Sequence, residues 1–191
     1  MASILNTLSI IIFAFLLFGC TTSELPFANN STSSNISSNI STNLSANVSV
    51  NPIVVFETTK GTFKAEIFEK EAPITSRNFL SLARSGFYDN LTFHRYAQDF
   101  VIQGGDPNGD GSGGSGKKIS LEIVPSLTHG LGALGMARTN DPNSATSQFY
   151  VVIGQAHFLD GQYAVFGNVT DGMDVVMQLR KGDKMIRVYE E

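Results

Sequence analysis

Short β-rich runs follow one another along the chain after residue 52, and one of them alternates hydrophobic and polar positions with a period of two, the pattern of a strand that buries one face. This run is residues 62–68, where Phe63, Ala65 and Ile67 form the apolar face. A Thr-Lys-Gly turn separates this run from another β-rich run at residues 53–58, which predicts a hairpin. Further strands are predicted at residues 91–95, 100–104, 131–136, 149–153, 164–169 and 185–189.

Two segments have the spacing of a helix instead. The first opens at Pro73, since proline is tolerated in a first turn, carries Phe79 and Leu80 on one side, and stops at Gly86. The second is predicted at residues 172–179. Many short strands with two helices predict a mainly β fold, a closed antiparallel β-barrel capped by two α-helices.

The pattern is different in residues 1–20. An uncharged apolar run over residues 8–18 is shorter than the ~20 residues that a membrane-spanning helix needs, and it ends at Gly19-Cys20. We interpret this as an export signal similar to that of lipoproteins, in which Cys20 is lipidated and becomes the mature N-terminus. An uncleaved N-terminal anchor is the alternative, because Phe18 is bulky and no Lys or Arg precedes the run. Both place the rest of the chain outside the membrane.

Residues 21–51 are dominated by Ser, Thr and Asn and carry a four-residue repeat that starts at Asn35, Asn39, Asn43 and Asn47. One apolar residue per repeat cannot bury enough surface to offset the entropy of ordering, which predicts a disordered tether. Each repeat is also an N-x-S glycosylation sequon. A glycosylated stalk and a linker whose composition produces sequons by chance are both consistent with this segment.

Composition excludes several classes of protein. Of the 191 residues, 13 are Lys or Arg and 17 are Asp or Glu, a net charge of −4 that argues against nucleic-acid binding. A single Cys excludes an intrachain disulfide and any zinc site that needs a Cys pair. His94, His129 and His157 lack partners at helical spacing. Spacing leaves a metal site or a catalytic triad open, and a structural or surface role is the favoured interpretation.

Two apparent motifs lack their structural context. Residues 106–112 begin like an EF-hand loop, but Lys117 stands where the bidentate Glu is needed, so a calcium site is not expected. Residues 109–114 match G-x-G-x-x-G, yet an extended segment follows where a dinucleotide site requires a helix. We predict a long flexible surface loop.

Four sequence blocks, in order, carry a family resemblance. They are F-H-R at residues 93–95, Q-G-G-D at 103–106, S-Q-F at 147–149 and L-D-G-x-x-x-V-F-G at 159–167. With these blocks the segment 52–191 resembles the cyclophilin family of peptidyl-prolyl cis-trans isomerases. The resemblance implies an eight-stranded antiparallel barrel with two capping helices and a hydrophobic groove on its outer surface.

The resemblance also implies site residues. The positions that match catalytic residues of the family are Arg95, Phe100, Gln103 and Gln148. The positions that match substrate-binding residues are Val101, Ala137, Arg138, Tyr150, Phe158, Leu159 and Tyr163. No cofactor or metal is implied, because the reaction is the rotation of a bond within a gripped peptide.

The sequence departs from the common family pattern at two positions of the hydrophobic groove. Val101 is smaller than the usual Met, and Phe158 lacks the indole N–H that binds cyclosporin in sensitive members, which predicts weak inhibition by cyclosporin.

Together, the N-terminal segments and the family resemblance predict a monomeric isomerase. We expect it to act on proline-containing, unfolded or flexible exported polypeptides and to be tethered to the outer face of the cytoplasmic membrane. A non-catalytic proline-peptide-binding module is the alternative.

Overall fold

The structure is a computed structural model that describes residues 51–191. Eight strands are described: β1 Ile53–Thr58, β2 Gly61–Ile67, β3 Arg95–Ala97, β4 Val101–Gly104, β5 Ala133–Met136, β6 Phe149–Val152, β7 Val165–Asp171 and β8 Met185–Glu190. The helices are α1 Pro73–Arg84 and α2 Met173–Gln178, with a short 3-10 helix at His157–Leu159. None of these helices is long and apolar enough to cross a bilayer. The predicted export signal, Cys20 and the tether up to residue 50 lie outside the described residues.

All strand pairs are antiparallel, in the order β3-β4-β6-β5-β7-β2-β1-β8. The two edge strands, β3 and β8, meet only near their starts, where Thr92 bridges Lys184 and the Phe93 N–H donates a 2.8 Å hydrogen bond to the Asp183 carbonyl. The eight antiparallel strands with two helices are confirmed. The sheet is a curled half-barrel whose edges touch at this bridge, and not a barrel closed along the whole length of its strands.

Helix α1 packs against strands β7 and β8. Pro73 occupies its first turn, and the carboxylate of Glu122 accepts hydrogen bonds from the N–H groups of Ile74 (3.1 Å) and Thr75 (2.8 Å). These two bonds satisfy backbone donors that a helix start leaves free. The helix then buries Phe79 and Leu80. In the shorter helix α2, Val176 is the buried residue.

The two faces of the central strands bury different residues, and this alternation creates the site. In β6, Val151 packs into the main core while Tyr150 and Val152 belong to a second apolar cluster on the opposite face. In β4, Ile102 points to the main core and Val101 to the second cluster. The main core contains an aromatic group composed of Phe56, Phe63, Phe79, Tyr88, Phe149 and Phe166. The second cluster supports the slot described below.

Candidate functional site

A slot of about 340 Å³ opens on the face of the sheet that carries the second apolar cluster. It is lined by Arg95, Phe100, Val101, Gln103, Ala137, Arg138, Tyr150, Phe158, Leu159 and Tyr163. Ten of the eleven residues that the sequence resemblance assigned to the site therefore line one cavity. The eleventh, Gln148, lines an adjoining cavity of about 440 Å³ that shares Gln103, Ala137 and Arg138 with the slot.

Arg95 lies at the start of the edge strand β3 and pairs across the sheet with Gln103 on β4. Its Nη1 atom donates a 3.2 Å hydrogen bond to Oε1 of Gln103, and its Cζ atom lies 5.6 Å from the ring centre of Phe100. Among the described residues, no carboxylate lies within 4.0 Å of this guanidinium. The amide therefore orients the guanidinium without neutralising its charge.

The two glutamines form a chain that leads away from Arg95. Nε2 of Gln103 donates to Oε1 of Gln148 at 3.0 Å, and Nε2 of Gln148 donates to the carbonyl oxygens of Gly111 (2.9 Å) and Gly113 (2.7 Å). A side-chain amide has two N–H groups, so Gln148 uses both within the protein while Gln103 keeps one. Within residues 51–191, the second N–H of Gln103 has no acceptor, and Gln148 offers a substrate only its oxygen.

The glycine-rich loop that the sequence predicted to be flexible is held by two side chains. Besides Gln148, the buried carboxylate of Asp106 accepts hydrogen bonds from the backbone N–H groups of Asn108 (2.9 Å) and Asp110 (3.1 Å). Gly113 is required here, because a Cβ atom would lie 2.2 Å from Oδ1 of Asp106. Within residues 51–191, no three His, Cys, Asp or Glu side chains come together as a metal site.

One part of the slot lining is apolar and consists of Phe100, Val101, Phe158 and Leu159. Phe158, on the 3-10 helix, stacks on Phe100 with ring centres 5.2 Å apart and leaves 63% of its surface exposed. Val101 is buried in the second apolar cluster, against which Leu159 packs. These four side chains present a surface that suits a small aliphatic ring.

A second part of the slot lining contains the aromatic rings of Tyr150 and Tyr163 and the guanidinium of Arg138. The guanidinium of Arg138 lies over the ring of Tyr163, with Cζ 4.4 Å from its centre, and Nη2 donates a 2.9 Å hydrogen bond to the carbonyl of Gln162. The rings of Tyr163 and Tyr150 meet edge to face, with centres 6.5 Å apart. This packing fixes the position of Arg138 at the rim.

A chain of hydrogen-bonded polar side chains begins at the hydroxyl of Tyr150. The hydroxyl of Tyr150 lies 2.9 Å from Nε2 of His129, which is fully buried, and Nδ1 of His129 lies 2.8 Å from Oδ1 of Asp160. The other oxygen of Asp160 lies 2.9 Å from Nδ1 of His157. Burial raises the pKa of Tyr150 well above its usual range, so this phenol stays protonated.

Asp160 has the clearest electrostatic shift near the site. A hydrogen bond from the backbone N–H of His129 is the largest cause that lowers the pKa of Asp160 from 3.8 to about 2, and side-chain hydrogen bonds from His157 and His129 add to it. Asp160 is therefore a carboxylate at neutral pH, able only to accept hydrogen bonds.

The sequence analysis did not connect His129 and Asp160 with Tyr150 of the slot. His129 was interpreted as structural or surface because its partners are 21 and 31 residues away along the chain. The available signal for Asp160 was its position in the L-D-G block, directly after the slot residue Leu159.

Comparison with known proteins agrees with this geometry. The family model described as cyclophilin type peptidyl-prolyl cis-trans isomerase/CLD matches residues 53–189. A peptidyl-prolyl cis-trans isomerase of Arabidopsis thaliana is 46% identical over 132 residues, 67% of this chain and 80% of its own length. A peptidyl-prolyl cis-trans isomerase-like 1 protein of Neurospora crassa is 46% identical over 130 residues, 66% of this chain and 79% of its own length.

Solved structures show the same similarity. A cyclophilin type peptidyl-prolyl cis-trans isomerase of Cryptosporidium parvum superposes with a TM-score of 0.69 at 31% identity, covering 74% of this chain and 98% of its own. The crystal structure of that protein in the presence of the dipeptide Ala-Pro gives a TM-score of 0.68 at 32% identity, covering 73% and 98% of the two chains. The chain with the guanidinium of Arg95 beside an apolar slot thus belongs to the cyclophilin-type peptidyl-prolyl cis-trans isomerase family.

Proposed function

We propose that this isomerase accelerates the rotation of X-Pro bonds in exported polypeptides and that it does so tethered to the outer face of the cytoplasmic membrane. The observation that carries the catalytic part is the position of Arg95, whose guanidinium is held at the slot by Gln103 and has no carboxylate partner among the described residues. The observation that carries the cellular part is the apolar run of residues 8–18 followed by Cys20.

The reaction requires a pocket that holds the prolyl ring and a positive charge placed beside the bond that rotates. Rotation about a peptide bond crosses a barrier of ~18–20 kcal/mol because the amide resonance is lost, and an uncatalysed X-Pro bond takes tens to hundreds of seconds to isomerise. In the twisted state the prolyl nitrogen becomes pyramidal and can accept a hydrogen bond. An enzyme accelerates this step by binding the twisted state more tightly than either planar isomer.

Each wall of the slot has a part in this proposal. Phe100, Val101 and Leu159 hold the prolyl ring, together with Tyr150, which lines the same slot. Arg95 binds the proline carbonyl and supports a donor to the prolyl nitrogen, as a guanidinium can because it stays charged and presents several N–H groups in one plane. The reaction needs neither a nucleophile nor a proton transfer.

The remaining polar groups orient the peptide. The free N–H of Gln103 binds a peptide carbonyl, and the rim residues Ala137 and Arg138 contact the residues before proline. Gln148 acts on the same end of the substrate through its oxygen and through the loop that it holds. All these groups stand on strands or directly beside them, which keeps the slot preformed.

The position in the cell follows from the N-terminal segments. Lipidation of Cys20 would leave residues 21–51 as the link between the membrane and the isomerase domain, with a reach as a flexible coil of about 30 Å. Such a tether allows the slot to reach polypeptides as they emerge from export. The clients are proline-containing chains that are unfolded or flexible, because a folded protein does not present an extended X-Pro segment.

An isomerase assay tests the catalytic role. The full chain, its Arg95→Ala variant and an Arg187→Ala variant are compared by NMR exchange on an Ala-Pro test peptide. Arg187 is a matched control, since it is an exposed arginine on edge strand β8 that stacks over Tyr189, with Cζ 4.5 Å from the ring centre. We expect Arg95→Ala to lose about a hundredfold in kcat/KM. Arg187→Ala is expected to match the wild type.

Two results would change this assignment. Full activity of Arg95→Ala would remove the guanidinium from the mechanism. Peptide binding by the wild type without faster exchange would show a proline-peptide-binding module in place of an enzyme. In both cases the chemical-shift changes of the peptide report whether the slot is still occupied.

Cell fractionation with mass spectrometry of the mature N-terminus tests the position in the cell. We expect membrane-bound protein that starts at a lipidated Cys20, and release from the membrane by Cys20→Ala but not by the neighbouring Thr22→Ala. A membrane-bound protein that retains residues 1–20 would show the uncleaved anchor. Recovery of the protein in the cytoplasm would contradict export.

A further inference from the structure

Tyr150 lines the slot, and its ring is constrained in two ways, by packing on Gly135 and by a contact of its hydroxyl with His129. Tyr150 on β6 pairs with Gly135 on β5, and its ring lies so close that a Cβ atom on Gly135 would stand 2.2 Å from Cζ of the tyrosine. The phenol end of the ring therefore lies over a residue without a side chain. Its hydroxyl lies over the same glycine, 2.9 Å from Nε2 of His129.

His129 is held in turn by Asp160. Oδ1 of Asp160 lies 2.7 Å from the backbone nitrogen of His129 and 2.8 Å from its Nδ1 atom. Because a carboxylate only accepts, Nδ1 of His129 carries a proton that it donates to Asp160, and Nε2 of the same ring shares a hydrogen bond with the hydroxyl of Tyr150. Two hydrogen bonds to one carboxylate fix both the backbone and the ring of His129.

We propose that Asp160 and His129 form a positioning relay that fixes the ring of Tyr150 against the proline slot. Neither His129 nor Asp160 lines the slot, and the slot residue that their side-chain hydrogen bonds reach is Tyr150. The hydrogen bond at the end of the phenol holds the long axis of the side chain, which χ1 would otherwise allow to swing between rotamers. This proposal concerns the isomerase reaction itself and does not depend on export or tethering.

The relay predicts a specific kinetic pattern. A wall that swings away costs binding to the substrate and to the twisted state alike, so KM rises while kcat is kept. We expect Tyr150→Phe, which keeps the ring and removes one oxygen, to raise KM for an Ala-Pro peptide about fivefold, equivalent to about 1 kcal/mol. His129→Gln should raise KM to a similar extent.

The double variant is the decisive measurement. If His129 acts through the hydroxyl of Tyr150, then His129→Gln changes KM in the wild-type background and leaves KM unchanged in the Tyr150→Phe background. His157→Gln is the matched control, because His157 contacts the other oxygen of Asp160 and is exposed. We expect it to keep wild-type KM within twofold, and we expect Asp160→Asn to resemble His129→Gln.

A purely structural role gives a different result. Buried polar groups need partners in any fold, so a structural network would lower the free energy of unfolding in these variants and leave KM at the wild-type value. That outcome, or KM effects that multiply in the double variant, would overturn the relay. If His129→Gln fails to fold, Asp160→Asn in the wild-type and Tyr150→Phe backgrounds gives the same test, because Asp160 contacts His129 and His129 contacts the phenol.

Discussion

Arg95 and Gln103 face each other across strands β3 and β4, and a 3.2 Å hydrogen bond joins Nη1 of the arginine to Oε1 of the glutamine. A carboxylate in the place of the glutamine would pair with the guanidinium and cancel its charge. The neutral amide fixes the direction of the guanidinium and leaves the positive charge for the substrate. The orientation of Arg95 therefore depends on a residue that belongs to the next strand.

Gln103→Leu should separate orientation from charge. The leucine fills a similar volume and removes both the acceptor for Arg95 and the amide donors of Gln103, so the guanidinium keeps its charge while its direction and the amide contact to the substrate are lost. We expect kcat/KM to fall about tenfold, the effect of roughly one good hydrogen bond to a charged group. The exposed Gln98→Leu is the control, and equal losses in the two variants would show that the effect is not specific to the slot.

Gln148→Leu should act on the glycine-rich loop more than on catalysis. Both amide N–H groups of Gln148 bind carbonyl oxygens of this loop, at Gly111 and Gly113. We expect faster hydrogen exchange in residues 109–116 with a smaller loss of kcat/KM than in Gln103→Leu. Unchanged exchange in the loop would mean that Asp106 alone holds it.

Gly135→Ala should destabilise the fold through Tyr150. The added Cβ atom would lie 2.2 Å from Cζ of Tyr150, so either the ring or strand β5 must shift. We expect a loss of about 1–3 kcal/mol in the free energy of unfolding, measured in urea. Gly130→Ala is the control, since a Cβ atom there meets nothing within 4 Å. Combining Gly135→Ala with Tyr150→Leu should restore part of the loss, and no restoration would point to another contact.

The local pattern predicted most elements of the fold because their pairing is also local. Residues 53–58 form β1 as predicted, and the turn after them makes the β1–β2 hairpin. The strand predicted at residues 91–95 was wrong, since β3 covers Arg95–Ala97. The backbone before it bonds instead to residues 182–185, a partner that no local periodicity encodes.

In the candidate site, too, the features that local sequence encodes were predicted and those that depend on contacts between distant residues were not. Arg95, Gln103 and Tyr150 meet at one slot because β3, β4 and β6 are neighbours in the sheet, and Leu159 joins them from the 3-10 helix. The burial of His129 depends on contacts with Tyr150 and Asp160, which come together only when β5, β6 and the 3-10 helix have packed. The loop predicted to be flexible is held by Asp106, whose role as an acceptor of backbone N–H groups has no signature beyond turn-forming composition.

Phe158→Trp should increase inhibition by cyclosporin. Phe158 stands at the rim, 63% exposed and stacked on Phe100, and it carries no hydrogen-bond donor. An indole N–H at this position restores the donor that the family resemblance assigns to inhibitor binding. We expect about tenfold tighter inhibition with kcat/KM within threefold of the wild type. Phe158→Leu is the control without a donor, and the same gain in that variant would exclude the N–H as the cause.

Asp160 should make the stability of the domain depend on acid pH. Its pKa is lowered from 3.8 in the unfolded chain to about 2 in the fold, so the ionised form is favoured by folding. The stabilisation is complete above pH 3.8 and is lost as pH falls through about 2. We expect the difference in Tm between the wild type and Asp160→Asn to shrink across this interval. A difference that stays constant from pH 7 to pH 2 would mean that the hydrogen bonds from His129 and His157 do not favour the charged form of Asp160.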